Sequence, residues 1–244
     1  MKESTTANVQ ESKIKALVFG PTGSGKTSTA LTLKPETTLI ISAESGLLPL
    51  AGKPFTVWEI EQFSEMMDVV YMRLLDPEMQ KKFKVIFVDS LTEINELAKD
   101  RILTVDRPGL KKDIGKVYEE LLMLQDYQLL STKLIGMIRA FRDLPYHIIF
   151  TCLEAQSKNE KTGEVFVTPS VNGKLAMNLG GYFDEVFRMK VKQTGDKMEY
   201  YFVTGLTEGA IGKDRSGALN LYEPASWSVV FNKIFDKYKI KEAK

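Results

Sequence analysis

Ile14-Lys15-Ala16-Leu17-Val18-Phe19, followed directly by Gly20-Pro21-Thr22-Gly23-Ser24-Gly25-Lys26-Thr27, decides how this chain of 244 residues is read. The first six residues have the apolar character of a buried strand. The next eight hold two glycines separated by four residues, then Lys, then Thr, and each position has a physical task. Glycine lets the backbone curl until successive N–H groups point at phosphate oxygens, and a helix starting at Gly25 adds the positive end of its dipole. Lys26 is expected to reach the β and γ phosphates and the Thr27 hydroxyl to coordinate Mg²⁺. Gly20, Pro21, Thr22, Gly23, Ser24, Gly25, Lys26, Thr27 and Ser28 form the expected cradle for ATP or dATP. An ordinary glycine-rich loop matches this pattern by chance in about 1% of chains of this length, and a strand before it and a helix after it are the required context.

Working outward, the helix runs over Lys26 to Leu33 and is ended by Pro35. Thr38 to Ser42, Val85 to Val88 and His147 to Leu153 read as further strands. Helical spacing appears over Gln62 to Leu75, about Leu91 to Ile102, and Val117 to Phe141, where Ser131 and Gly136 are points of division. Short apolar strands thus alternate with helices four times, which predicts an α/β fold with a mostly parallel sheet flanked by helices. Beyond Ala155 the polar run Ser157 to Glu164 predicts a mobile loop or hairpin, resuming as an extended Val165 to Val167. Val186 to Lys192 and Met198 to Thr204 flank Thr194-Gly195-Asp196, an expected antiparallel hairpin towards the C-terminus. A last helix covers about Trp227 to Tyr238. Polar residues 1–12 are expected to form a flexible arm and residues 13–240 a single domain.

Charge narrows the function classes. Thirty-three Lys and Arg nearly cancel 32 Asp and Glu, so no global attraction to nucleic acid or membrane exists and a polyanion site must be a local patch. A chain this long buries about 70–75% of the surface its unfolded form exposes, so it needs no disulfide or structural metal. The single cysteine, Cys152, lies in an apolar run and is expected to be a buried, inert thiol in a reducing compartment. The polar N-terminus lacks a signal-peptide core, which predicts a cytoplasmic protein.

Three polar positions follow strands. Asp89 closes Val85-Ile86-Phe87-Val88, where a carboxylate at the sheet's carboxyl edge suits Mg²⁺, and Ser90 is expected to cap the next helix. Glu44 follows the second strand, where it can orient an attacking water or simply be solvated. At the end of the fourth strand a γ-phosphate sensor is sought among Thr151, Glu154 and Gln156, with a plain turn residue as the alternative. His147, the only histidine, opens that strand and reads as structural.

Together, GPTGSGKT (Gly20 to Thr27), ISAES (Ile41 to Ser45), VIFVDS (Val85 to Ser90), IRAFRDLPYHIIFT (Ile138 to Thr151) and GKDRSG (Gly212 to Gly217) span most of the chain. In this combination it resembles the RecA-like ATPases, and among them phage nucleotide-binding proteins that include the Sak-type single-strand-annealing recombinases. The resemblance implies that Glu44 activates water and that Lys213 and Arg215 reach, in trans, the γ phosphate of a neighbouring subunit. It also implies a homo-oligomer with nucleotide at subunit interfaces, and single-stranded DNA bound along Gln156 to Leu175 by Lys158, Lys161, Lys174 and a stacking Phe166. Leu153-Glu154 departs from it, standing where a polar amide is expected. The expected function is therefore Mg²⁺-dependent ATP hydrolysis coupled to DNA annealing or recombination. A nucleotide-gated assembly module with little hydrolysis and a small-molecule kinase are the alternatives.

Overall fold

The strand before the glycine-rich loop is buried at every position and lies between two parallel neighbours. A computed structural model describes residues 13–44, 46–106, 122–158, 160, 163–207 and 209–239; the predicted arm, Lys161 and the start of the helix predicted from Val117 lie outside them. The strands are β1 (Lys15–Gly20), β2 (Thr38–Ser42), β3 (Thr56–Glu59), β4 (Val85–Asp89), β5 (His147–Lys158), β6 (Val165–Pro169), β7 (Glu185–Thr194), β8 (Lys197–Val203), β9 (Lys213–Asp214) and β10 (Tyr222–Pro224). They share one sheet in the order β10-β8-β7-β1-β5-β4-β2-β3, with β6 and β9 attached to β5 and β7. The run from β3 to β7 is parallel, and β8 and β10 extend it antiparallel, as the expected fold requires.

Both faces of the parallel strands are covered, which is why their sequences are continuously apolar rather than alternating. Leu17 and Phe19 point to one face, where Leu91 and Ile94 of the Leu91–Arg101 helix and Leu134 and Phe141 of the Leu124–Arg142 helix cover them. Ala16 and Val18 point to the other, beneath Trp227, Val230 and Phe231 of the Trp227–Tyr238 helix. The predicted division at Ser131 and Gly136 does not occur, because the helix runs unbroken to Arg142. No helix among the described residues is long and apolar enough to cross a membrane.

Elsewhere the outcome differs in detail. The helix predicted over Lys26 to Leu33 is a 3₁₀ run, Thr27–Thr32. Thr29 Oγ1 donates to Lys26 O at 2.6 Å and Thr32 Oγ1 to Thr29 O at 2.7 Å, so threonine hydroxyls occupy carbonyls three residues back. The Phe63–Glu65, Met66–Tyr71 and Met72–Leu74 segments form the predicted second helix, wound as a π-type turn in the middle. The fourth strand continues past Leu153 to Lys158 and pairs antiparallel with β6, so Ser157 and Lys158 of the polar run are strand. His147 is structural, with Nδ1 accepting from Ile14 N at 3.1 Å and burial pushing its pKa down to about 3. Burial pushes the Cys152 thiol up to about 12.

Glu185, at the start of β7, is 1% exposed. Its Oε1 accepts from Ser216 N at 3.2 Å and its Oε2 has no hydrogen-bond partner among the described residues. Burial, then the nearby Asp214 charge, push this carboxyl from 4.5 up to about 8. A folded pKa above the unfolded one gives stability that is full below about 4.5 and is lost as pH rises through about 8, because unfolding then releases the proton. Glu185→Gln keeps the shape and cannot ionise. Its melting temperature relative to the parent should rise between pH 5 and pH 8 as the parent weakens over the range set by that shift; a difference constant with pH would refute this.

Candidate functional site

The loop between β1 and the 3₁₀ run is shaped by glycine where side chains cannot go. A Cβ on Gly20 would lie 2.9 Å from Met189 Cβ, and Gly25 has φ 86°. Lys26 curls back into this loop and donates to Gly20 O at 3.0 Å and Pro21 O at 2.9 Å. Ser24 Oγ braces the turn by donating to Pro21 O at 2.7 Å. Burial lowers the pKa of the Lys26 ammonium, with the Asp89 charge opposing.

Asp89, 3% exposed at the end of β4, receives hydroxyls from two directions. Thr27 Oγ1 donates to its Oδ2 at 2.7 Å, and Thr151 Oγ1 donates to its Oδ1. Strand order explains the meeting, since β5, which carries Thr151, lies between β1 and β4. Main-chain bonds tie the next loop in, with Ala43 N donating to Asp89 O at 2.8 Å. There the Glu44 Oε1 accepts from Ser90 Oγ, while that same oxygen of Ser90 accepts from Glu93 N at 3.3 Å as the expected helix cap. One cavity of about 290 Å³ is lined by Thr22, Gly23, Gly25, Lys26, Thr27, Ser28, Glu44, Pro49, Asp89, Ser90 and Leu153. Gly20, Pro21 and Ser24 belong to the loop but are not among the residues that line the cavity.

Of the three sensor candidates, Thr151 touches Asp89. Glu154 instead forms a buried ion pair with Arg188, Nε to Oε2 at 2.9 Å and Nη2 to Oε1 at 3.2 Å. Burial alone would raise this carboxyl, but the Arg188 hydrogen bonds prevail and hold it below its ordinary range. The pair accounts for the Leu153-Glu154 departure, and nothing in the sequence near Arg188 signals it. Gln156 is exposed and bonds to Glu154 at 3.2 Å.

Lys213 and Arg215 are not brought to this cavity. β9 pairs with Glu185 and Val186, and Glu185 is in register with Ala16 at the start of β1. The phosphate loop leaves the opposite end of β1 at Gly20, about 13 Å further along at the rise of a strand. Lys213 Nζ donates to Gly180 O at 3.0 Å and Phe183 O at 2.7 Å, and Arg215 Nη1 pairs with Asp184 Oδ1 at 2.6 Å. Of the predicted DNA contacts, Lys158 is exposed at the end of β5 and Phe166 is 37% exposed on β6. For Lys174 the structure places only its backbone, at the start of the Lys174–Asn178 helix.

A parallel α/β sheet with a phosphate loop after a central strand, and a buried Asp at the end of β4 with β5 between the two, has the arrangement of a P-loop NTPase. The AAA_24 family, described as an AAA domain, matches residues 12–216, and the chain belongs to that family. No curated protein matches the sequence. Among solved structures, the RadB recombinase is similar at 17% identity and TM-score 0.42, over 82% of this chain and 90% of that one. The flagellar accessory protein FlaH from Methanocaldococcus jannaschii is similar at 9% identity and TM-score 0.39, over 82% of each chain. A KaiC-like protein from Pyrococcus horikoshii OT3 is similar at 12% identity and TM-score 0.41, over 78% and 77%.

The lowered pKa of Lys26 has a measurable consequence. A bound polyphosphate favours the charged ammonium, so binding should take up protons, increasingly so towards alkaline pH. Calorimetry of Mg·ATP in buffers of different ionisation enthalpy should show this uptake, and heats independent of buffer would contradict it.

Proposed function

We propose that this chain is a Mg²⁺-dependent ATPase that takes ATP or dATP, assembles with nucleotide at subunit interfaces, and binds single-stranded DNA to promote annealing or recombination. On this reading it is a single cytoplasmic domain over residues 13–240, of the Sak-type group. The observation that carries the nucleotide part is Asp89 bonded to Thr27 at the mouth of the phosphate loop, with Glu44 on the wall of the same cavity.

The residues present fit a magnesium ion: the Thr27 hydroxyl and the Asp89 carboxylate are hard oxygen donors already 2.7 Å apart. Mg²⁺, when bound, neutralises charge on the phosphates. Lys26 exchanges two main-chain carbonyls for phosphate oxygens, and the loop amides hold the remainder. Glu44 leaves Ser90 to accept a proton from water. Thr151, bonded to Asp89 and carried on the strand that continues into the β5–β6 hairpin, links the γ-phosphate end to Lys158 and Phe166. Lys213 and Arg215 are held by Gly180, Phe183 and Asp184 at the other end of β1 from their own chain's loop, and on this reading they serve a neighbour's nucleotide.

The Ser90 to Glu44 hydrogen bond also favours a second reading, in which Glu44 stays parked and the protein is a nucleotide-gated module with little turnover. Glu44→Gln separates the two. For a hydrolase it should keep Mg·ATP affinity and lose on the order of 100-fold in turnover; an unchanged slow rate supports the module. Phosphate released only to water disposes of a kinase. Mixing Lys26→Ala with Arg215→Ala subunits should restore part of the turnover each lacks alone, and failure to do so would remove the role in trans. Labelled single-stranded oligonucleotide should shift at low salt with Mg·ATP, and no shift would remove the DNA part.

A further inference from the structure

The cavity beside the phosphate loop is lined by glycines, hydroxyls, two carboxylates, the Lys26 ammonium and the apolar side chains of Pro49 and Leu153, with no aromatic ring. It suits phosphates and metal, and offers no flat surface for a base. The nucleoside must therefore be recognised outside it, and the sheet fixes the direction. Thr151, Asp89 and Glu44, which belong to the γ-phosphate end, lie on or after β5, β4 and β2, all to one side of β1. A triphosphate oriented towards them directs its nucleoside to the other side of β1, over β7 and β8.

An aromatic residue stands there. A Cβ on Gly25 would lie 3.2 Å from both Cδ1 and Cε1 of Tyr200, so the tyrosine ring packs directly against the phosphate loop. Tyr200 is 45% exposed on β8, which leaves part of the ring open to solvent. Two strand spacings separate β8 from β1, about 10 Å, which is within reach of a nucleoside whose phosphates lie on the loop. The strand holds the ring through a register in which Tyr200 faces Val191 of β7.

We propose that Tyr200 is the stacking platform for the base of a nucleoside triphosphate, an inference that rests on the nucleotide-binding reading above. A ring face carries no donor and acceptor pattern, so the platform accepts different bases and favours the larger face of a purine. It also gives Gly25 a second reason to be glycine, since a side chain would strike both its own backbone conformation and this ring.

Calorimetry with two probes, Mg·ATP and Mg·tripolyphosphate, tests the platform on the parent, Tyr200→Ala and Tyr200→Phe. Tyr200→Ala should weaken ATP on the order of tenfold and leave tripolyphosphate unchanged, while Tyr200→Phe keeps both. Equal weakening of both probes by Tyr200→Ala would show that the ring only buttresses the loop, and unchanged ATP affinity would place the base elsewhere; either result overturns the platform alone. A parent chain that binds neither probe overturns the platform together with the nucleotide reading.

Discussion

Two hydroxyls converge on Asp89, one from the residue after the phosphate-loop lysine and one from within the strand that lies between β1 and β4. A buried carboxylate requires such partners, since an unpaired one loses its hydration without return. Each hydrogen bond to a charged group contributes about 1.5–3 kcal/mol, so this pair fixes the loop, the central strand and the β4 terminus as one unit. Other features follow from it. Asp89 O anchors the loop that carries Glu44, and Ser90 both caps the Leu91–Arg101 helix and holds the Glu44 carboxylate. The catalytic candidate is thus attached to the metal candidate through one residue of backbone.

The parts of this arrangement legible in the sequence were those with short-range signatures. The phosphate loop declares itself through glycine spacing, and Asp89 through a run of four apolar residues before it. The parallel sheet was legible because both its faces are buried. Contacts made between distant segments left no such trace. Arg188 and Glu154 are separated by 34 positions and meet only because β5 and β7 flank β1. The edge strand β3, with only Thr56–Glu59 and partial exposure, is too short for a periodic signal. β9 and β10 are shorter still. The 3₁₀ winding after the loop is hidden by good helical spacing, although the two threonines that bond backwards, Thr29 and Thr32, are in plain view.

Lysines show the same limit from the other direction. Lys15, one residue into an apolar strand, is buried with Nζ donating to the carbonyls of Leu144 and Tyr146, and burial lowers its pKa to about 7. Lys213 likewise caps main-chain carbonyls, those of Gly180 and Phe183. A lysine can therefore serve as a clasp between segments, and a Lys-Asp-Arg triplet reads equally as a solvated turn until its neighbours are known. Asp214 accepts from Gly217 N at 2.7 Å and Leu219 N at 2.9 Å, so the triplet is a folded loop with Arg215 directed outward, 57% of its side chain exposed.

Position constrains how such a chain can associate. The nucleotide candidate lies at the carboxyl end of the parallel strands, and Lys213 and Arg215 lie at the amino end. If the one end completes the other in a neighbour, the two contacting surfaces differ. A contact between unlike surfaces is heterologous; it repeats from subunit to subunit and closes into a ring or continues as a filament, whereas a twofold dimer would join like to like. Release of Lys213 from Gly180 and Phe183 is then part of forming the contact, because its ammonium cannot serve the carbonyls of its own chain and a neighbour's phosphate together. On that arrangement assembly and nucleotide occupancy would be linked through the exchange, since a phosphate in the neighbour's loop would be the acceptor that replaces the two part-buried carbonyls, and an empty loop would offer none.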